Sequence, residues 1–203
     1  MLSDIEIYLP KYLSPAEQTK LFEQLKQFPA NIHNRLYSSQ RDPDAIIFQG
    51  DGLQKLPIIS LPSTDVLYAM VMVLSNTCDI APNNARMYTP SIIYCPLIRL
   101  DAYRESLLQA YPKEADRITD HIDSLKRQEC SSMFYLPPGL RLKEERIALF
   151  DQVVHHRTDA LDFDELAKNR VFTLSDYGFY LFLFKLSVHF TRLREGVVRG
   201  YTD

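Results

Sequence analysis

The residues with the greatest chemical potential follow one apolar segment in the first half of the chain. Residues 68–74 are apolar throughout, which is typical of a strand that is covered on both faces of a sheet. Side chains at the end of such a strand are held rigidly and still reach solvent. Here they offer a hydroxyl, an amide, a thiol and a carboxylate, which could serve as nucleophile, acid or base. The residues that carry these groups are Ser75, Asn76, Cys78 and Asp79.

Cys78 could be a nucleophile if a neighbouring base took the proton from its thiol. His155 or His156 would supply that base if their strand lay across the sheet, and Asp79 would then orient the imidazole. A structural interpretation competes with this one, because cysteine often behaves as a small buried hydrophobe and aspartate at a strand end often caps the next turn. We expect structural roles, and we keep Cys78, Asp79 and His155 as a candidate site.

The histidines and cysteines do not predict a metal centre. Adjacent residues on a regular strand point to opposite faces, so His155 and His156 cannot both bind one ion there without a bulge. Zinc-type ligand spacing is absent, and we predict neither a metal nor a cofactor. Packing or surface positions account for the remaining residues of these two types, which are Cys95, Cys130, His33, His121 and His189.

Ribonuclease chemistry without a metal would need a base, an acid and a cation for the charge that develops on the phosphate. Asp51, Ser75, Arg86 and Arg99 could supply such a set, although their spacing does not require it. The net charge of −3 gives no general attraction to nucleic acid or to an anionic membrane, so a phosphate site would depend on local basic residues. The candidate phosphate contacts are Arg86, Arg99, Arg141, Lys143 and Arg146.

Length and composition predict one globular domain. A chain of 203 residues with 46% apolar residues is long enough to bury a core, but two full domains are not expected. Three cysteines without a C-x-x-C pair, and an N-terminus unlike a signal peptide, favour the reducing cytosol. The most apolar segment, residues 177–184, is too short to span a membrane.

Helix and strand signals divide this domain into four parts. A capping box at Ser14 and Glu17 predicts a first helix to Gln27, and the apolar strands 68–74 and 91–100 are expected to pair. The other predicted elements are strands at 45–48, 132–136, 148–156 and 171–174, with an edge-like or looped stretch at Pro57 and Pro62. The parts are a helical lead-in (1–44), barrel strands (45–100 and 131–174), a helical insertion (101–130) and a C-terminal helix (175–195) capped by Ser175. This pattern predicts an α+β fold, a small antiparallel, partly closed barrel with an inserted helical segment.

Two resemblances attach to these motifs. Gly50-Asp51, then residues 71–76, a loop and residues 92–98 resemble the SH3-like barrel of the PemK/MazF family of bacterial toxin endoribonucleases, although Tyr68-Ala69 stands where that family has an arginine. Residues 74–80, with 134–138 and the terminal helix, are similar to uncharacterised bacterial proteins with a serine-x-threonine-cysteine-aspartate-isoleucine strand end. The second resemblance implies an association with mobile and defence-related gene clusters.

The expected function is a non-catalytic accessory subunit of a bacterial multi-component system, of the anti-phage defence or toxin-antitoxin kind. Its exposed strand end and its aromatic-rich C-terminal helix would contact partner proteins, with nucleic acid as an alternative partner and no membrane. The competing predictions are a PemK/MazF-like endoribonuclease toxin and a cysteine-dependent hydrolase. A pocket that joins Ser75, Cys78 and Asp79 to a basic partner would favour an enzyme, whereas a filled strand end would favour an adaptor.

Overall fold

The computed structural model describes residues 14–39, 46–84 and 86–191. The helices are α1 (Pro15–Lys26), α2 (Ile32–Arg35), α3 (Thr77–Ile80), α4 (Leu100–Ala110), α5 (Ala115–Lys126), α6 (Phe163–Lys168) and α7 (Asp176–Thr191). The strands are β1 (Gly52–Ile58), β2 (Leu67–Val73), β3 (Ser91–Arg99), β4 (Met133–Leu136), β5 (Arg146–Leu149), β6 (Val154–Arg157) and β7 (Arg170–Phe172). Within these residues, no helix combines the length and the apolar character that a membrane crossing requires.

The strands form one curled antiparallel sheet in the shape of a half-barrel, so the fold is α+β and barrel-like. Their order is β4–β5–β3–β2–β1–β7, and β6 also pairs with β3. Both β5 and β6 are antiparallel to β3, at its last and first residues respectively. The predicted single strand at 148–156 is therefore two short strands, because the chain turns away from β3 at residues 150–153.

β2 lies at the centre of this sheet, between β1 and β3, as predicted. Alternate side chains of its second half enter two separate cores: Val71 and Val73 pack on one face, and Met72 and Leu74 pack on the other. This double burial explains why the sequence is apolar without interruption there. The first half of the strand is different, because Leu67 and Tyr68 are exposed. The prediction of a strand buried from residue 68 to residue 74 is thus wrong at Tyr68.

The predicted helices are confirmed, with ends that shift by a few residues. Ser14 donates its amide to Glu17 and accepts from the Glu17 amide, which is the predicted capping box. The predicted cap at Ser175 accepts from the Gly178 amide at 3.1 Å. A Cβ atom at Gly178 would lie 2.1 Å from the Leu36 carbonyl oxygen. Glycine at this position therefore permits the backbone at Leu36 to approach α7 closely. Residues 192–195 of the predicted terminal helix lie outside the described residues.

One strand prediction needs correction. Residues 46–48 are not in a strand, and residue 45 lies outside the described part of the chain. The edge-like character predicted at Pro57 is confirmed, because Pro57 belongs to β1, opposite Tyr68 of β2. Proline is tolerated there because β7 pairs with β1 at Gly52 and Leu53 and does not extend to Pro57, where a missing amide would otherwise cost a ladder bond.

Candidate functional site

The polar residues that follow β2 are arranged around the strand end itself. Ser75 is buried, and its hydroxyl oxygen accepts a hydrogen bond from the Ile93 amide at 2.7 Å. The Asn76 side chain caps α3 by accepting from the Cys78 amide at 3.0 Å. The next residue, Thr77, accepts from the Gln49 amide. These side chains satisfy backbone donors that the end of the strand and the start of α3 would otherwise leave unpaired.

Among the hydrogen bonds and ion pairs of the described residues, none joins Cys78, Asp79 and His155 to one another, as the catalytic alternative would require. Cys78 is an exposed free thiol. The Asp79 carboxylate accepts from the Arg86 guanidinium at 2.6 Å, so it is engaged with a cation and not with an imidazole. His155 is exposed on β6, opposite Ile93 of β3. Across residues 14–39, 46–84 and 86–191, no group of three or more His, Cys, Asp or Glu side chains could hold a metal ion.

Asp51 lies beneath the same strand end and is fully buried. Its carboxylate is 3.1 Å from Nε of Arg170, which is also buried, and it accepts from the Phe48 amide at 2.9 Å. The Arg170 guanidinium donates to the Ile46 carbonyl and lies over the Phe48 ring. The pair therefore fastens residues 46–51 to β7, which is a structural task for a carboxylate considered above as a base.

The candidate phosphate contacts lie among carboxylates and backbone oxygens. Arg99 and Arg146 are opposite each other on β3 and β5, and both are paired with Glu144, at 3.5 and 3.4 Å. Asp101 binds Arg99 as well, and Arg141 donates to the Arg170 carbonyl. Lys143 is exposed in the same loop. Carboxylates beside these guanidinium groups reduce the local positive potential that a phosphate would need.

A different cluster of chemically active side chains occurs where the helical segment meets α7. The hydroxyl of Tyr103 on α4 is 3.0 Å from Nε2 of His121 on α5. The other ring nitrogen of His121, Nδ1, is 4.0 Å from the sulfur of Cys130. Lys185 of α7 is buried and belongs to the same region, since the charge of a Cys130 thiolate acts on it. We call Tyr103, His121, Cys130 and Lys185 the thiol cluster.

Burial perturbs two members of the thiol cluster. Desolvation lowers the pKa of Lys185 to about 8, and the Cys130 thiolate opposes this shift. Desolvation also raises the pKa of Tyr103, and the negative charges of Cys130 and Asp151 act in the same direction. Tyr103 therefore stays protonated at neutral pH, where it can hold the His121 ring. The sequence analysis assigned Cys130 and His121 to packing or surface positions, because His121 lies on an amphipathic helix and Cys130 lies between that helix and a strand.

A second unusual surface is the projecting end of the β1–β2 hairpin, residues 58–68, which we call the arm. Leu61, Leu67 and Tyr68 are 79%, 63% and 74% exposed, and Ile59 and Val66 are exposed as well. β3 pairs with Val71–Val73 of β2, and this pairing does not continue to the earlier residues of β2. Among the described strands, β1 is the one that pairs with Leu67 to Ala69. The arm is thus a largely irregular apolar hairpin end, and β2 has an open edge where it leaves the arm at Leu67 and Tyr68.

Comparisons with known proteins do not assign this chain to a group. A scan against protein-family models finds no match, and a search of curated proteins finds no relative.

Proposed function

We propose that this protein is a non-catalytic interaction subunit that binds a partner protein through the arm. The system it serves would be bacterial and multi-component, of the defence or toxin-antitoxin kind that the resemblance implies. The single observation that carries the proposal is the burial pattern of β2. The strand is equally apolar along its length, but its buried second half lies in the protein's own core and its first half is exposed.

An apolar strand segment that the described part of the chain leaves uncovered is expected to be covered by something else. Large side chains lie near one another where the arm joins the sheet. Ile58 faces Leu67 there, and Pro57, the residue before the arm, faces Tyr68. The open edge of β2 beside Leu67 to Ala69 could also pair with an added strand. Apolar contacts would supply affinity, and the strand edge would set the orientation of the partner.

The charges around the arm favour a protein partner over nucleic acid or an anionic membrane. Residues 56–85 contain neither lysine nor arginine, although they contain Asp65 and Asp79. Surfaces that bind phosphates or anionic lipids place lysine and arginine beside their apolar groups. A groove lined by apolar side chains on another protein meets the requirements of the arm without a basic residue.

The C-terminal helix offers a second exposed apolar surface, as the expected function requires. Phe184 and Val188 lie one helical turn apart and are exposed, and Phe190 is 62% exposed. The opposite side of α7 is buried through Leu181, Phe182 and Lys185. We assign the main contact to the arm because it combines apolar side chains with an open strand edge.

The test replaces one exposed tyrosine of the arm and one exposed tyrosine elsewhere. Tyr68→Asp introduces a charge into the arm, and Tyr111→Asp introduces the same charge beyond the end of α4. We expect the wild-type chain to retain a stoichiometric partner when it is purified from its native cells at its native level. The partner, produced separately, should rebind the wild-type and Tyr111→Asp chains, and the Tyr68→Asp chain should bind at least about tenfold more weakly.

Two results would overturn this proposal. One is equal binding by the two variants, which would place the interface elsewhere, with α7 the next surface to test. The other is sedimentation of the purified wild-type chain as a dimer that Tyr68→Asp dissociates, which would make a second copy of the chain the occupant of the arm. A circular dichroism spectrum and a melting temperature for each variant would show that the fold is retained.

A further inference from the structure

We propose that Cys130 is a modification site, a thiol that His121 deprotonates and that exchanges with small disulfides to form a mixed disulfide. This role is independent of the arm, because the thiol cluster is built from α4, α5, α7 and the turn that follows α5. It requires no turnover, so it is compatible with a subunit that is not an enzyme.

The end of α5 brings Cys130 back to His121. Gln128 has a positive φ of 62°, and the Glu129 amide bonds to the Ser124 carbonyl at 2.9 Å, which together reverse the chain after the helix. The buried Gln128 side chain then fixes the turn by accepting from the Tyr135 amide and donating to the Tyr135 carbonyl. These contacts of Gln128 and Glu129 fix the backbone that leads into Cys130.

The contact between Tyr103 and His121 is compatible with the form of His121 that can act as a base. A neutral imidazole carries one N–H, so if Nε2–H donates to the Tyr103 oxygen at 3.0 Å, Nδ1 has a free lone pair. That lone pair faces the Cys130 sulfur at 4.0 Å. Nucleophile, base and orienting group are thus arranged in sequence, which is the arrangement that activates cysteine in general. Tyr103 is the positioning residue in this series.

Lys185 provides a positive charge on the inner side of the cluster. Its ammonium donates to Gln128 Oε1 at 2.9 Å and to the Met133 carbonyl at 2.5 Å, so it is anchored to the same turn that carries Cys130. A cation beside a cysteine stabilises the thiolate relative to the thiol. The charged or titratable groups that face the cluster are therefore Tyr103 on α4, His121 on α5, Lys185 on α7 and Asp151 after β5.

The exchange reaction needs a small disulfide as its co-reactant. The Cys130 sulfur attacks one sulfur of that disulfide, and a new S–S bond forms as the original S–S bond breaks. The departing sulfur leaves as a thiolate, which receives a proton from the His121 imidazolium or from water. The Cys130 sulfur is oxidised and the departing sulfur is reduced, so no further oxidant is required.

The other two cysteines serve as internal controls. Cys78 is more exposed than Cys130, but its neighbour Asp79 is paired with Arg86, and its own amide is bound by Asn76. Cys95 is buried on β3, and desolvation raises the pKa of its thiol. Exposure alone would therefore rank Cys78 first, whereas base activation ranks Cys130 first.

The experiment treats the full chain with oxidised glutathione and measures the modification rate of each cysteine by peptide mass spectrometry. We expect Cys130 to react at least about tenfold faster than Cys78, which is less than a positioned base usually contributes. His121→Gln should lower the modification rate of Cys130 by a similar factor and leave the modification rate of Cys78 unchanged. Tyr103→Phe should move the pH at which the Cys130 rate rises, because it removes the group that orients His121.

The opposite pattern would overturn the proposal. If Cys78 reacts faster than Cys130, or if His121→Gln leaves the Cys130 rate unchanged, Cys130 is a packing residue. The rate at Cys95 reports on folding, because Cys95 is buried and general unfolding of a variant would expose it and accelerate its reaction. Cys130→Ser should retain binding to the partner of the arm, so a failure of either proposal can be told from a failure of the other.

Discussion

The two ends of β2 have opposite characters. The carboxyl end, Ser75 to Asp79, carries hydroxyl, amide, thiol and carboxylate groups, and most of them bind backbone donors or a neighbouring cation. The amino end, at Leu67 and Tyr68, carries no polar chemistry beyond one phenol, but it is exposed and open along one edge. Polar residues at a strand end therefore do not by themselves indicate a site. Apolar residues without cover are the stronger indication, because folding alone does not explain them.

The largest expected effect tests the structural role of the carboxyl end. Asp51→Asn would leave the buried Arg170 cation without its counter-ion, and loss of one partner of a buried pair costs about 3–5 kcal/mol of unfolding free energy. Asp79→Asn is the matched control, because its pair with Arg86 is largely exposed and should contribute far less. Urea denaturation of both variants gives the comparison. Equal, small effects would mean that Asp51 is available for chemistry after all.

A smaller effect separates the strand end from the thiol cluster. Asp51 is buried with a guanidinium, whereas the buried Lys185 ammonium donates to two neutral oxygens, and desolvation lowers its pKa to about 8. Below pH 8 the Lys185 side chain is protonated in both the folded and the unfolded chain, and burial of its charge lowers the unfolding free energy. Between pH 8 and the ordinary lysine pKa of 10.5, the folded chain releases its proton first, so the unfolding free energy rises with pH.

We expect Lys185 to contribute a rise of about 2 kcal/mol between roughly pH 7 and pH 9.5. Cys95 partly opposes this rise, because burial raises the pKa of its thiol and the unfolded chain releases that proton first. Lys185→Met keeps Cys95 and removes the Lys185 contribution, so urea denaturation of both chains at the two pH values isolates it as a difference. Higher pH is avoided because ionisation of tyrosines in the unfolded chain would then favour unfolding: burial raises the pKa of Tyr177 to about 12 in the folded protein. An equal pH dependence of the two chains would mean that Lys185 is hydrated.

Sequence patterns predicted the parts of the fold that depend on local signals. The capping box at Ser14, the cap at Ser175 and the central position of β2 all follow from residue types at fixed spacing. The exposure of Tyr68 could not be predicted this way, because it depends on where the pairing between β2 and β3 ends. The meeting of His121 with Cys130 depends on the left-handed turn at Gln128, a residue type that does not signal such a turn.

The smallest effect contrasts the two ends of β2 within one strand. Ser75→Ala removes the acceptor of the Ile93 amide from a buried position, which should cost about 1–2 kcal/mol of unfolding free energy. Tyr68→Ser removes a much larger side chain, yet it should change the unfolding free energy by no more than about 0.5 kcal/mol, because that ring is 74% exposed. The partner reverses this ranking: it should raise the melting temperature of the wild-type and Ser75→Ala chains, but raise that of Tyr68→Ser much less. A cost above about 1 kcal/mol for Tyr68→Ser alone would mean that the chain covers its own arm in solution, and the open strand end would then need no partner.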